Sequence, residues 1–426
     1  MLVRGATVLT MDPELGDLDE ADVLVRDGAV VAVGPGLAAR GAMVIDARGM
    51  IALPGLVDTH WHMWTGLGRA ITTGADGGGY LDLLAGLGPS YRPEDTYHAT
   101  ALCLAEALVA GITTVHDWSH NLRGPEWTDA ALSAHAESGV RGRLSYGGPQ
   151  GQPPDLALDL AEVRRARSVW VDSGRAPLTS LGAALRGPDV TPTGVLREEV
   201  EAARALGLPI TMHAQPRANT GAIKALAAED FLGPDVQLVH AVYADARDRA
   251  LMSESGTGLS VSPVSELLFG WGGPQTQMLD AGVGVSLSVD NTALAGQADL
   301  FEVMRLTLGL GATARGVELG LDPRRVLRLA TIDGATQLGL GDVTGSLTPG
   351  KRADLILVRT DTANTVSGPD PVSTVVRCAR PSDVDTVICD GRILKRDGDP
   401  IDVDVVALGC AAARSLRRSG PEQVTE

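Results

Sequence analysis

Helix-like and strand-like patterns of apolar and polar positions alternate along the middle of the chain. Residues 92–110 begin with Pro93 in a first turn and Glu94 and Asp95 at the helix N-terminus, and they end before Gly111. The β-branched run at 112–118 follows at once and predicts a buried strand. Similar segments recur further along the chain, at 198–206, 209–213, 236–240, 245–255, 258–263, 275–280 and 283–290. Strands that alternate with helices favour a parallel sheet, and the α/β pattern predicts a (β/α)8 TIM barrel over residues 55–343.

The two ends of the chain follow another pattern. Residues 1–54 and 344–400 alternate short apolar runs with turn signals such as Asp27-Gly28 and Asp390-Gly391, which is typical of β-strands. We therefore predict a small composite β-sandwich domain built from both termini. Residues 401–426 are predicted to form a C-terminal helix, at 402–418, and a tail.

The composition fits a large soluble enzyme and excludes some partners. The 426 residues are 44% hydrophobic and 21% charged, which is enough for a sizeable core. A net charge of −17 disfavours nucleic acid or an anionic membrane as a partner, because both attract basic surfaces. We expect a cytoplasmic protein, because there is no long apolar run, no signal-peptide pattern and no Cys-x-x-Cys pair.

The tripeptide His60-Trp61-His62 is the first indication of chemistry. Side chains at i and i+2 of a strand project from the same face, about 7 Å apart along the strand, so two histidines spaced in this way can hold one metal ion. Imidazole is a common ligand for zinc and also suits iron. A lone His-x-His pair is also compatible with ordinary packed or surface histidines.

Other polar residues fall at the ends of the later predicted strands. In a parallel barrel the reacting groups lie at the carboxyl ends of the strands, so ligands should close successive strand patterns. Six of the eight histidines fall at or near strand ends, and Asp117 and Asp290 close two strand patterns. We therefore expect His213, His240 and Asp290 to lie beside His60 and His62, with His120 nearby.

Three motifs resemble the amidohydrolase superfamily. Residues 54–62, Pro-Gly-Leu-Val-Asp-Thr-His-Trp-His, resemble its first-strand signature, 111–115 resemble the second, and 345–355 resemble the return into the β-domain. The resemblance spans nearly the whole chain. It is closest to the branch that contains cytosine and S-adenosylhomocysteine deaminases and triazine hydrolases.

The resemblance implies a role for each strand-end residue. The implied metal ligands are His60, His62, His213 and Asp290. Asp290 would also act as a general base toward a metal-activated water, and His240 would polarise the substrate. Binuclear members bridge their metals with a carboxylated lysine, and residues 63–212 contain no lysine. We therefore predict one divalent metal ion per chain, with zinc favoured over iron or manganese.

The chain departs from its deaminase neighbours at two positions. Many of them carry a proton-shuttling glutamate three residues after the fifth-strand histidine, where this chain has Pro216. Relatives often read Pro-x-Ser-Asn after the seventh strand, where this chain places Glu266. Glu266 is therefore a candidate catalytic residue that replaces the lost acid or grips a cationic substrate, and a solvated loop glutamate is the alternative.

Further residues are candidates for substrate contacts. In addition to tryptophans at the barrel mouth, we assign to this group His120, Trp61, Trp64, Gln215, Arg186 and Asn291. Arg186 could pair with a substrate carboxylate, and simple packing or loop hydrogen bonding is the alternative for each residue. The glycine-rich segment 74–79 is expected to form a flexible element or lid at the barrel mouth.

These observations predict a mononuclear metal-dependent hydrolase. It would cleave a non-peptide C–N bond, of the cyclic or linear amide type, in a small and heterocyclic molecule. A deaminase of a nucleobase-like or triazine-like heterocycle is the alternative, and a non-catalytic scaffold or a non-hydrolytic lyase or cyclase are weaker ones. We expect a homo-oligomer, either a dimer or a tetramer.

Overall fold

A computed structural model describes residues 1–38, 40–71, 79–214, 220–273 and 275–419. Eight parallel strands form the centre of the molecule, and neighbours in sequence are neighbours in the sheet. The first five strands of the chain lie outside this barrel: β1 Leu2–Leu9, β2 Asp17–Arg26, β3 Ala29–Gly34, β4 Val44–Asp46 and β5 Met50–Pro54. The barrel strands follow: β6 Leu56–Trp61, β7 Ile112–Ser119, β8 Arg141–Tyr146, β9 Thr179–Leu185, β10 Ile210–Ala214, β11 Val236–His240, β12 Gly258–Val261 and β13 Val285–Leu287.

Backbone contacts between the first and last barrel strands close the barrel. The amide of Asp290 donates to the carbonyl of His60 at 2.9 Å, and the amide of His62 donates to the carbonyl of Asp290 at 2.6 Å. The predicted TIM barrel is therefore confirmed. Because the closure falls on three predicted metal ligands, the same hydrogen bonds that complete the barrel also set the spacing of the site.

Helices surround the barrel. The helix expected at 92–110 is found as α2, where the Asp95 carboxylate accepts a hydrogen bond from the Arg92 amide at 2.9 Å and caps the first turn. The helices are α1 Tyr80–Leu87, α2 Pro93–Val109, α3 Pro125–Ser138, α4 Leu160–Ala166, α5 Thr193–Ala205, α6 Ala222–Ala228, α7 Ala246–Ser255, α8 Pro263–Leu268, α9 Gln275–Asp280, α10 Thr292–Ala295, α11 Leu300–Arg315, α12 Pro323–Leu329, α13 Ile332–Gln337, α14 Pro371–Ser373 and α15 Val405–Ser419. Within the described parts of the chain, no helix is long and apolar enough to cross a membrane.

Both termini build one further sheet. Four late strands complete it: β14 Leu355–Arg359, β15 Val384–Cys389, β16 Arg392–Arg396 and β17 Asp399–Pro400. The central contact pairs β5 with β14 in antiparallel register, so the segments before and after the barrel meet side by side. Arg141 of the barrel donates to Asp354 at 2.7 Å and to Asp390 at 3.0 Å, which ties the barrel to this nine-stranded sheet.

Candidate metal and catalytic site

The four predicted metal ligands converge at the carboxyl ends of their strands. His62 Nε2 lies 3.1 Å from His60 Nε2 and 3.3 Å from His213 Nε2. The Oδ1 atom of Asp290 lies 3.3 Å from His60 Nε2 and 3.5 Å from His62 Nε2. Residues 151 positions apart in the chain, such as His62 and His213, thus direct their polar atoms at one point.

The donor set fits a divalent metal ion. Four ligands arranged tetrahedrally at 2.0–2.1 Å from a zinc ion stand about 3.3–3.4 Å apart, which matches the separations among these atoms. Burial lowers the pKa values of His60, His62 and His213 well below the ordinary value, so the imidazoles are neutral at pH 7. Neutral imidazole is the form that coordinates a metal, so the site is prepared for an ion without losing protons first.

Two neighbouring side chains hold Asp290 and the first strand in place. The carboxylate of Asp58 accepts hydrogen bonds from the amide of His60 at 3.0 Å and from the amide of Val289 at 2.8 Å, which joins the two closing strands. Asn291 Nδ2 donates to Asp290 Oδ2 at 2.9 Å. Asn291 is fully buried and orients Asp290 through this hydrogen bond, and its predicted substrate contact stays a prediction.

His120 contacts His62, a candidate metal ligand, on the side of the ring away from the other ligand atoms. Its Nδ1 atom lies 3.1 Å from His62 Nδ1 and accepts a hydrogen bond from Trp64 Nε1 at 2.9 Å. When His62 binds an ion through Nε2, its proton must reside on Nδ1, and His120 Nδ1 is then its acceptor, with a single lone pair for which the Trp64 N–H competes. Desolvation lowers the pKa of His120 to about 4, which keeps it in the accepting form. Trp64, which we expected to touch the substrate, is buried behind His120.

Trp118 lies beside the candidate metal ligands, at the end of the run 112–118 that predicts a buried strand. It is part of β7, and its ring centroid is 4.6 Å from that of His213 and 4.9 Å from that of His62. Strand alternation places Trp118 on the same face as His116, and this spacing could have predicted its position. Its Nε1 has no hydrogen-bond partner among the described residues, which leaves a buried donor beside the histidines.

His240 and Glu266 form a buried pair. His240 Nδ1 lies 3.1 Å from Glu266 Oε1, which also accepts a hydrogen bond from the Ser262 amide at 2.9 Å. Desolvation favours neutral His240, but its hydrogen bond to Glu266 and the charges of Asp290 and Glu266 raise the pKa of His240 above the ordinary value. Glu266 is 0% exposed, so the solvated-loop alternative is wrong. Oε1 of Glu266 is engaged by His240 and the Ser262 amide, while its buried Oε2 has no partner among the described residues, so the catalytic role of Glu266 stays a prediction.

Backbone conformation helps to aim His240 and Asp290 into the site. Both residues have φ of +69°, in the left-handed region of backbone conformation that residues other than glycine rarely adopt. Such strain persists where the surrounding structure fixes it, and it is common at active sites. The ligand atoms of His60, His240 and Asp290 consequently lie within 4.8 Å of one another.

Three other residues named from the sequence point elsewhere. Trp61 is fully buried in the main hydrophobic core, because strand alternation turns the residue between two inward histidines to the other face. Arg186 donates to four backbone carbonyls of the loop at 152–156, including those of Pro153 and Leu156 at 2.8 Å, so it holds that loop and not a substrate carboxylate. Asp117 faces His135 of α3 at 3.3 Å, away from the ligand cluster. Gln215, Pro216 and nearly all of the segment 74–79 lie outside the described residues.

Comparison with known proteins identifies the family. The model of the amidohydrolase family matches residues 51–394. A 5'-deoxyadenosine deaminase of Methanosarcina mazei is 30% identical over 410 residues, which cover 93% of each chain. A 5-methylthioadenosine/S-adenosylhomocysteine deaminase of Symbiobacterium thermophilum is 31% identical over 93% of this chain and 94% of that protein. Among solved structures, a mutant atrazine chlorohydrolase of Arthrobacter aurescens complexed with zinc and atraton has a TM-score of 0.84 and 25% identity, covering 97% of this chain and 99% of that chain.

The family match covers most of the chain and agrees with the geometry of the site. This chain belongs to the amidohydrolase family. It is a metal-dependent hydrolase that acts on carbon–nitrogen bonds other than peptide bonds.

Proposed function

We propose that the enzyme holds a single zinc ion and hydrolyses a C–N bond of a small nitrogen heterocycle. The observation that carries the proposal is the convergence of three neutral histidine nitrogens and one aspartate oxygen, at separations of 3.1–3.5 Å that allow all four atoms to contact one ion. The names of the relatives support the heterocycle, because the two curated ones described above are deaminases of adenine-containing compounds. The free state of all four cysteines supports a reducing cytoplasm as the place of action.

The residues around the ion divide the work of hydrolysis. A divalent ion held by His60, His62, His213 and Asp290 would lower the pKa of water toward about 7 and so supply a nucleophile at neutral pH. Asp290 keeps Oδ2 on Asn291 and directs Oδ1 toward the histidine nitrogens, so its carboxylate lies beside the ion and is placed to accept the proton of the attacking water.

His240 serves the opposite side of the reaction. Its Nδ1 is held by Glu266, so Nε2 is the atom that can reach a substrate, and the raised pKa favours a proton there. A protonated Nε2 stabilises negative charge that develops on the substrate when water adds. It can then donate the proton to the departing nitrogen. In many deaminases a glutamate takes this role, and this chain has Pro216 in its place.

Aromatic rings form the wall on which a flat substrate would lie. Trp118 covers His62 and His213 on one side of the cluster, and Trp271 lies with its ring centroid 5.6 Å from that of His240. Trp271 is partly exposed and stacks on Phe269 at 4.4 Å. Flat heterocycles pack well against such surfaces.

Amide hydrolysis and deamination are separated by the fate of nitrogen. Deamination is favoured by the activities of the relatives, and amide hydrolysis is favoured by Pro216 in place of the shuttle glutamate. The zinc-loaded enzyme should be assayed against matched sets of amino-substituted heterocycles, including 5'-deoxyadenosine, and cyclic amides. Ammonia release identifies deamination, and a ring-opened acid without ammonia identifies amide hydrolysis. Activity in neither set, with the metal bound, would refute the heterocycle proposal.

Asp290→Asn is the control for both substrate sets, because it removes one anionic ligand and the proposed proton acceptor.

The oligomeric state is tested separately. We propose a dimer or a tetramer, so light scattering of the purified protein should give one of these masses, and a monomer would contradict the proposal.

A further inference from the structure

A second cavity lies at the opposite end of the barrel from the metal ligands. It has a volume of about 310 Å³ and is bordered by the residues that precede or begin β10 and β11, among them Pro209, Ile210, Asp235 and Val236. Its outer edge includes the exposed residues Gly207 and Gly339, so it opens to solvent at the amino ends of the strands. The chemistry of the barrel mouth does not use this end of the barrel.

The inner wall of the cavity carries an uncompensated positive charge. Arg143 is only 8% exposed, and among the described residues no carboxylate lies within ion-pair distance of its guanidinium. Its Nη2 donates to the carbonyl of Leu338, but its buried Nε has no hydrogen-bond partner in the described structure. Burial lowers the pKa of Arg143 to about 10, and no neighbouring carboxylate opposes this effect. Most of the guanidinium's hydrogen-bonding capacity is therefore unused.

Gln237 adds a second unused polar group. Its side chain is 5% exposed and lines the same cavity, and neither Nε2 nor Oε1 has a partner among the described residues. His116 lies beside it but is already engaged, with Nδ1 2.9 Å from the Thr59 carbonyl and Nε2 2.7 Å from Ser145 Oγ. Arg143 and Gln237, whose amide also lies against His116, therefore offer hydrogen-bonding groups to this cavity, and Gln337 lines it as well.

A buried charge without a partner is costly in a protein interior unless a ligand or ion accompanies it. Guanidinium and amide N–H groups that face one space suit an oxyanion, since arginine recognises carboxylates through two parallel hydrogen bonds. Leu208, Ile210 and Val236 give the cavity an apolar wall as well. We propose that this cavity binds a small organic carboxylate, with the oxyanion on Arg143 and Gln237 and an apolar body against that wall.

Calorimetry on the zinc-loaded, full-length enzyme tests the proposal with benzoate as the probe. Benzyl alcohol is the uncharged match for benzoate, and acetate and inorganic phosphate are anions without the apolar body. We expect saturable one-to-one binding of benzoate, weaker binding of acetate and phosphate, and no binding of benzyl alcohol. Stronger binding of phosphate than of benzoate would overturn the choice of an organic carboxylate.

Two variants locate the binding site and a third serves as a control. Arg143→Gln should weaken benzoate binding at least tenfold, while Arg197→Gln, at an exposed arginine paired with Glu229, should leave it unchanged. Gln237→Leu keeps the charge and removes the amide, so it should weaken binding severalfold even if the Arg143 variant does not fold. Wild-type affinity in Gln237→Leu, or in folded Arg143→Gln, would overturn the proposal, and so would the absence of saturable binding up to about 10 mM. This site is independent of the metal centre, so failure here leaves the proposed reaction standing.

Discussion

The imidazole of His240 is held by a buried carboxylate, with Nδ1 3.1 Å from Glu266 Oε1. The two residues are 26 positions apart, on β11 and α8, and both side chains are almost completely shielded from water. This contact fixes which nitrogen of His240 faces the substrate. We propose that it also supplies, through a histidine, the acid that the chain lacks at Pro216.

Glu266→Gln should lower kcat at least tenfold, because the amide cannot stabilise an imidazolium at His240. Glu266 raises the pKa of His240, so its loss lowers that pKa, and the protonated form disappears at lower pH. The basic limb of the pH–kcat profile should therefore move to lower pH. Glu266→Asp keeps the charge at a shorter reach and should recover part of the activity. Unchanged kcat and pH profile in Glu266→Gln would refute the pair's role.

Metal analysis should find one tightly held divalent ion per chain. His213→Ala should reduce the metal content below one equivalent, because it removes one of four ligands, while Glu266→Gln should retain the wild-type content. Removal of the ion with a chelator should abolish turnover, and zinc should restore it. Two tightly held ions per chain would contradict the single-ion proposal, which rests on the absence of lysine from residues 63–212.

His120→Phe should weaken metal binding about 10–100-fold, the usual effect of losing the acceptor behind a ligating histidine. Phenylalanine keeps the aromatic volume next to Trp118 and Trp64 but offers no acceptor to His62 Nδ1. Competition with a fluorescent chelator measures the effect. Trp64→Phe is the matched control, since it leaves the acceptor of His120 in place. Equal metal affinity in His120→Phe and wild type would show that His62 needs no such partner.

The metal-free enzyme should lose stability as the pH falls from about 6.5 to about 4. The pKa values of the barrel histidines are lowered, to about 3 for His116 and about 4 for His120, so the unfolded chain binds protons in this range that the folded chain does not. Stability rises with pH wherever the unfolded state binds more protons, by up to about 1.4 kcal/mol per pH unit for each such histidine.

Thermal unfolding between pH 7.5 and 4.5 measures this dependence. His120→Phe should flatten the slope by the contribution of one histidine. His98→Gln is the control because His98 lies on α2 and bonds Ser415, away from the cluster. A melting temperature that does not change over this range would contradict the expectation.

Local patterns were sufficient to predict the barrel and to indicate which residues lie together at its rim. The alternation of helical and strand periods predicts the barrel, because the buried face of each strand and helix appears as a regular spacing of apolar residues in the sequence. His60, His62, His213 and Asp290 could be assigned because the carboxyl ends of parallel strands meet at one rim. The resemblance to a known family then specified their roles.

By itself, then, the sequence determined the barrel and a β-domain shared by both termini, and it placed the candidate ligands at one rim of the barrel. Only the tertiary structure decided which way the remaining side chains face and what they touch. In the folded protein Trp61 lies in the core, Arg186 donates hydrogen bonds to loop carbonyls, and Glu266 is buried against His240. Strand alternation is enough to account for Trp61, but the contacts of Arg186 and Glu266 join residues far apart in the chain, and the left-handed backbone at His240 and Asp290 leaves no local pattern in the sequence.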